Sequence, residues 1–287
     1  MNAATPDIVF ARHDGAHGIG WLRESYRMLC QHRLAWLLML AGYYIALLIV
    51  EVVPLIGVLL APMMKPVLSV GFLAAAWTQE RGGRPSLRML GRGFGSNLTA
   101  LLPLGLVFVA GISIALGATA LIDGGRLLEL LYGAAPAGDA DPTRAARAVQ
   151  ETLASSRVQL AMLFGALCAL PTILALWWAP ALVVFNDAPL RKALLASLRA
   201  AIANWRAVLR YAIGVFTLGA VVPTLATTAI ALLVPPPINA TLAALFVLPY
   251  LALFVATLHI ADYVSYRDVF HAGETLAPIT GPATAPD

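Results

Sequence analysis

Six long apolar runs alternate with short polar, arginine-rich stretches along the chain. The runs fall at about Leu34–Val53, Leu55–Trp77, Leu98–Ile122, Val158–Phe185, Leu209–Val234 and Ile238–Ala261. A helix crosses the hydrocarbon core with about 20 apolar residues, so each run predicts one span. Helix is the expected conformation, because in lipid every backbone N–H must be paired within its own segment. A barrel would instead give short alternating segments. The breaks follow local chemistry. Glu51-Val-Val-Pro54 separates the first two runs, and Pro235-Pro236-Pro237 cannot continue the fifth as a helix.

Between runs three and four lies the one long connection, residues 123–157. Its first part, Gly133 to Asp141, reads as a flexible turn. Asp141-Pro142 then reads as an N-cap followed by proline at the first helical position, predicting a helix over 143–157. Residues 1–33 are polar and carry Asp7, Asp14 and Glu24, so the first run is expected to be a retained span rather than a cleaved signal. The expected organisation is a six-helix membrane domain over 18–274, flanked by disordered tails at 1–17 and 275–287.

Composition agrees with this pattern. Of 287 residues, 60% are hydrophobic and 12% charged, and mean hydropathy is +0.81. A soluble domain carries about 25% charged residues to cover its surface, so that class is excluded. Charge placement matters more than the net +4. Arg12, Arg23, Arg27 and Arg33 precede the first run, and Arg81, Arg84, Arg88 and Arg92 lie between the second and third. Arg191, Lys192, Arg199, Arg206 and Arg210 lie around the 186–208 connection, and Arg267 follows the sixth run. Basic residues mark the cytoplasmic side, so both termini are expected there and the 123–157 loop on the far side. Cys30 and Cys168 lie in different environments and make no CxxC, so neither a disulfide nor a metal motif is expected.

The basic connections have helical periodicity of their own. Leu190, Leu194, Leu198, Ala201, Trp205 and Val208 share one face of a helix over 189–210, with Arg191, Lys192, Arg199, Arg206 and Arg210 beside it. Arg84, Arg88 and Arg92 stand at i, i+4, i+8 opposite Leu87, Leu90 and Phe94. Leu22, Tyr26 and Leu29 oppose Arg23 and Arg27. Each reads as an amphipathic helix in the interface, its apolar face in lipid and its basic edge on headgroups. The architecture predicted is all-α, with three repeats of interfacial helix plus transmembrane hairpin. The partners expected are membrane lipids, through Arg84, Arg88, Arg92, Arg191, Lys192, Arg199, Arg206 and Arg210 on anionic headgroups of the cytoplasmic leaflet, and a membrane protein. Nucleic acid is not expected, because these patches adjoin apolar faces.

Several segments resemble a broad bacterial group of six-span proteins that includes the membrane domain fused to some glycerophosphodiester phosphodiesterases. They are Trp177-Trp-Ala-Pro-Ala-Leu-Val-Val-Phe-Asn-Asp-Ala-Pro189, the segment Ala193–Trp205 and Tyr263-Val-Ser-Tyr-Arg-Asp-Val-Phe270. Gly20-Trp21-Leu22, Pro66–Gly71 and Ala74-Ala75-Ala76 are similar to one uncharacterised integral-membrane family within it. The resemblance implies a six-span fold in a bacterial inner membrane. It implies no reaction, because the catalytic domain of the fused proteins has no counterpart here.

Ionisable groups inside lipid are costly and are functional candidates by default. Four stand out: Glu51 at the far end of span one, Lys65 between Pro62 and Pro66, and His259 and Asp262 near the end of span six. Glu51 and Lys65 could form an ion-pair gate or a basic site for a lipid phosphate, if residues 54–66 are irregular. Otherwise Lys65 snorkels and Glu51 is solvated. His259 and Asp262, near Tyr263, Tyr266 and Arg267, read as a border that anchors the span, or as a proton relay. Pro103, Pro171, Pro180, Pro223 and Pro249 lie inside spans, and Gly105, Gly111 and Gly117 predict close helix contacts. No HExxH, Walker A or GxSxG sequence is present. The sequence therefore reads as a non-catalytic inner-membrane protein without metal or cofactor, holding anionic lipid or a protein partner in envelope maintenance. The alternative is a transporter or permeation pathway for a lipid-like or small solute.

Overall fold

The computed structural model describes residues 8–54, 57–133, 142–236 and 238–272. Among these the chain is all-helical, and six helical stretches are long and apolar enough to cross a membrane. Residues 8–15, placed in the tail by sequence, lead without regular structure into α1 (Ala16–Gln31). Span one is α2 (Arg33–Glu51) and span two is α3 (Gly57–Glu80). A 3-10 helix (Leu87–Gly95) leads to span three, α4 (Leu98–Asp123). The short α5 (Arg126–Tyr132) and α6 (Pro142–Ala154) lie at the opposite end from the arginine-rich connections. Span four is α7 (Ser156–Trp177) continued by α8 (Ala179–Phe185). Next come α9 (Leu190–Ala203) and span five, which is α10 (Trp205–Phe216), a π turn (Thr217–Val221) and α11 (Val222–Leu233). The last span, α12, covers Ile238–Phe270. The predicted turn over 133–141 falls mostly outside the described residues.

Four expectations change. First, α3 is helical from Gly57 through both Pro62 and Pro66, so the expected irregularity is absent over 57–66. Each proline removes one backbone bond, and one missing bond does not break a helix flanked by good formers. Second, 189–210 is two helices, parted at Asn204, whose φ of −104° and ψ of 25° leave the helical region. Arg206 and Arg210 therefore belong to the first turns of span five. Third, 87–95 is a 3-10 helix, and Arg84 precedes it. At three residues per turn Arg88 and Arg92 diverge by about 120°, so the three arginines do not make one stripe. Fourth, α12 runs nine residues past the expected end at Ala261.

The extra length of α12 organises the basic end. The amphipathic elements pack there on protein rather than lying flat in lipid. α1 packs on α10 and α12, the 3-10 helix on α3 and α2, and α9 on α7 and α8. Trp21, Leu22 and Leu29 are buried, whereas Tyr26 is exposed. The buried face of α9 is its small one, Ala193, Ser197, Ala200 and Ala201. Close approach is encoded by glycine: a Cβ on Gly18 would strike the Ala207 carbonyl of α10, and one on Gly93 the Val67 carbonyl of α3. In span three, Gly105 meets the Met63 backbone and Gly111 meets Thr172, while Gly117 faces open space.

Three fully buried tryptophans lie in this end, and each indole N–H has a partner, as buried indoles require. Trp21 donates to Asp268 Oδ2 at 2.7 Å, Trp36 to Gln79 Oε1 at 2.8 Å and Trp178 to Ser265 Oγ at 2.9 Å. Tyr263, Tyr266 and Arg267 are not a lipid border. Tyr263 donates to Glu80, Tyr266 to Asn186, and Arg267 pairs with Glu80 and with Glu24. At the opposite end Gly124 and Gly125, both at positive φ, turn the chain out of α4, and Asp123 accepts from the backbone N–H of Gly125 and Leu127.

Candidate functional site

Span five stands away from the bundle along its middle. α10 packs on α1, and the π turn and α11 pack on α12. Between α10 and α7 this leaves a cavity of about 1020 Å³. Its volume is at the upper end of ligand pockets, about 300–1,000 Å³, and far beyond what an ion needs. Several rim residues, among them Leu170, Ile173, Ile202, Trp205, Leu209 and Phe216, are exposed on the outer surface of the spans. The cavity therefore opens sideways, where lipid would lie, and not only toward water.

The back wall carries chemistry that the apolar lining does not need. Lys65, His259 and Asp262 all line the cavity, together with Ser69, Tyr43 and Tyr211. His259 is three residues before Asp262 on α12, so the two sit one above the other on one face. The His259 ring stacks on Phe72 at 4.1 Å and 9° and meets the Tyr43 ring edge at 5.3 Å. Asp262 faces the Trp177 indole. Lys65 is seven residues before Phe72 on α3, about 10 Å farther from the basic end. Its ammonium lies 5.7 Å from the Phe108 ring centroid.

Glu51 does not join them. It stays exposed in the last turn of α2, and among the described residues no ion pair links it to Lys65. The unbroken helix of α3 from Gly57 sets Lys65 more than two turns from its start. The cavity thus gathers three of the four intramembrane candidates, with an exposed cation farther from the basic end and an acid and an imidazole nearer to it.

That end is closed. Trp177 stacks on Trp178 at 4.8 Å and lies 5.0 Å from Tyr211, and Trp21 meets Trp177 edge-on at 6.2 Å. The kink that places Trp177 and Trp178 is held by Ser197 of α9. Its hydroxyl donates to the Leu174 carbonyl at 2.7 Å and accepts from Trp178 N–H at 3.1 Å. In the π turn before Pro223, the Leu218 carbonyl accepts from Tyr250 of α12 at 2.7 Å.

Around the basic end, Arg84, Arg88, Arg92, Arg191, Arg199, Arg206 and Arg210 are exposed, and Lys192 is half-buried. The Arg206 guanidinium lies 5.4 Å from the Trp205 ring centroid, beside the rim of the cavity. Sequence reasoning did not single out Trp177, Trp205, Tyr211 or Tyr43 as lining residues. They come from three different spans, and no spacing within one helix links them.

A probable inner membrane protein of Burkholderia thailandensis is 29% identical over 273 residues, covering 91% of this chain and 93% of its own length. No family model matches the chain, and no solved structure matches it. Six spans and this similarity make the chain a multi-pass inner-membrane protein.

Proposed function

We propose that the protein is a non-catalytic inner-membrane protein that holds a lipid-like amphiphile in the cavity between α7 and α10. One observation carries this reading. A cavity with a largely apolar wall, open between two spans, contains Lys65, His259 and Asp262. Hydrocarbon suits the apolar wall. Ionisable groups in a membrane interior are costly and persist where they meet polar partners, water or substrate. The basic end is cytoplasmic by its arginine content, and the exposed arginines there hold anionic headgroups near the mouth. The role that follows is lipid or partner binding in envelope maintenance.

The three-unit architecture belongs to the same reading. The amphipathic element ahead of span three packs on the hairpin of spans one and two. The element ahead of span five packs on spans three and four, and α1 packs on spans five and six. Each element thus clasps the preceding hairpin around a ring, as repeats of one unit would. Membership in the bacterial group with the phosphodiesterase-fused membrane domains rests on 177–189 and 263–270. Those residues meet at Trp178–Ser265 and Tyr266–Asn186.

Native mass spectrometry of the detergent-purified protein tests the proposal. Wild type should retain one amphiphile through purification, and Ser69→Phe, which fills the cavity, should lose it. Equal retention by wild type and Ser69→Phe would place the lipid elsewhere. The second reading, movement of a lipid-like solute across the membrane, draws on the same cavity. It predicts exchange of labelled lipid between the leaflets of reconstituted vesicles, whereas simple holding predicts none.

A further inference from the structure

The basic end contains a second cluster, outside the cavity lining and separated from it by Trp21, formed by two histidines and an aspartate more than 250 positions later in sequence. His13 comes from the N-terminal segment, His17 from the first turn of α1 and Asp268 from the last turn of α12. His17 Nδ1 lies 2.9 Å from Asp268 Oδ2, and His13 Nε2 lies 3.9 Å from the same oxygen. One ligand atom from each of the three falls within 4.8 Å of the others. We propose that His13, His17 and Asp268 form a site for a divalent transition metal of zinc's class.

The donor set and its support both fit such an ion. Two imidazoles and a carboxylate suit Zn²⁺, Co²⁺, Ni²⁺ or Fe²⁺ rather than Mg²⁺ or Ca²⁺, which take oxygen. Zinc bonds to such ligands at about 2.0–2.2 Å, which puts the ligand atoms of a tetrahedron about 3.4 Å apart. The two separations bracket that value; His13 Nε2 also lies 2.9 Å from the Asp268 backbone carbonyl, a contact it would exchange for the ion.

Outer contacts hold the ligands in place, as they do around bound metals. The Trp21 indole fixes the Asp268 carboxylate. The His13 backbone N–H donates to Asn204 Oδ1 at 2.7 Å, Asn204 Nδ2 donates to the Ala11 carbonyl at 2.9 Å, and Ala11 N–H donates to the Val269 carbonyl at 2.7 Å. Two of the ligands are already aligned: the imidazole rings are 4.2 Å apart at 33°. The three protein ligands leave a fourth position for water or an outside ligand. A bound ion would staple the N-terminal segment to α12, at the junction where Asn204 separates α9 from α10.

The test uses the untagged full chain in detergent, stripped with chelator and titrated with Zn²⁺ against a chromophoric competitor, then with Co²⁺. One equivalent should bind, with the intense visible bands of low-coordinate cobalt, and the thermal midpoint should rise. His17→Ala should weaken binding at least tenfold and abolish the shift. The His17 side chain is 43% exposed, so this variant keeps the fold, as circular dichroism would verify. His17→Cys should restore binding and add a sulfur-to-cobalt charge-transfer band. No saturable binding by wild type, or equal binding by His17→Ala, overturns the proposal.

Discussion

Ser197 and Trp178 together repair the break in span four. Where α7 ends, the Trp178 N–H and the Leu174 carbonyl no longer bond to each other, and the Ser197 hydroxyl sits between them, accepting from one and donating to the other. A side chain inserted into the helix ladder is a recognised cause of kinking. Here it turns Trp177 toward the cavity and Trp178 toward Ser265 of α12.

Ser197→Ala leaves two buried backbone groups without partners. Each such group costs about 1–3 kcal/mol, so the variant should lose about 2–4 kcal/mol of stability in denaturant unfolding. Loss of less than about 0.5 kcal/mol would mean that the kink does not depend on this hydroxyl.

Two glycines of α1 should respond in opposite directions. Alanine at Gly18 meets the Ala207 carbonyl and the Tyr211 backbone nitrogen of α10, while alanine at Gly20 meets nothing within 4 Å. Gly20→Ala should stabilise by up to about 1 kcal/mol through helix propensity. Gly18→Ala should lower the thermal midpoint. Because α1 is the support that seats α10, it should also weaken lipid retention.

Arg267 joins α12 to α1 and α3 through Glu24 and Glu80. Its side chain is 24% exposed, and that of Glu24 is 43%. Glu24→Gln should therefore cost less than about 1 kcal/mol, less still in high salt, as exposed pairs do. Arg267→Met removes the cation from two carboxylates at once, leaving Glu80 its Tyr263 hydrogen bond, and should cost more. Equal losses in a thermal-unfolding series would show that the pairs act independently of burial.

Orientation is open to direct measurement. A reporter inserted at position 90 should be active on the cytoplasmic side, and one at 138 on the outer side. The reverse pattern would exclude the arginine ring from the cytoplasmic leaflet.

The spans were legible because an apolar run of sufficient length has one solution in lipid. Their ends were less so. Span six continues from Ala261 to Phe270 because Tyr263, Ser265 and Tyr266 find partners in Glu80, Trp178 and Asn186, polar residues that only the fold brings near. The amphipathic periods at 22–29 and within 189–210 marked helical segments, the second as one helix where Asn204 parts two, but periodicity cannot say whether an apolar face meets lipid or protein. Lys65, His259 and Asp262 were singled out by the cost of charge in lipid, which is a local property. Their meeting in one cavity depends on span five standing off from α7, which no local pattern encodes. His13 and His17 are four residues apart, but His13 precedes α1, so no helical spacing marks the pair. Asp268 lies too far along the chain for spacing to connect it.

Electron cryomicroscopy of the protein in lipid nanodiscs tests the central claim most directly. The account predicts one elongated density entering between α7 and α10, with its polar end against Lys65 or against His259 and Asp262, and lost in Ser69→Phe. A cavity closed by α10 packed against α7, with lipid density only on the outer surface of the spans, would contradict it.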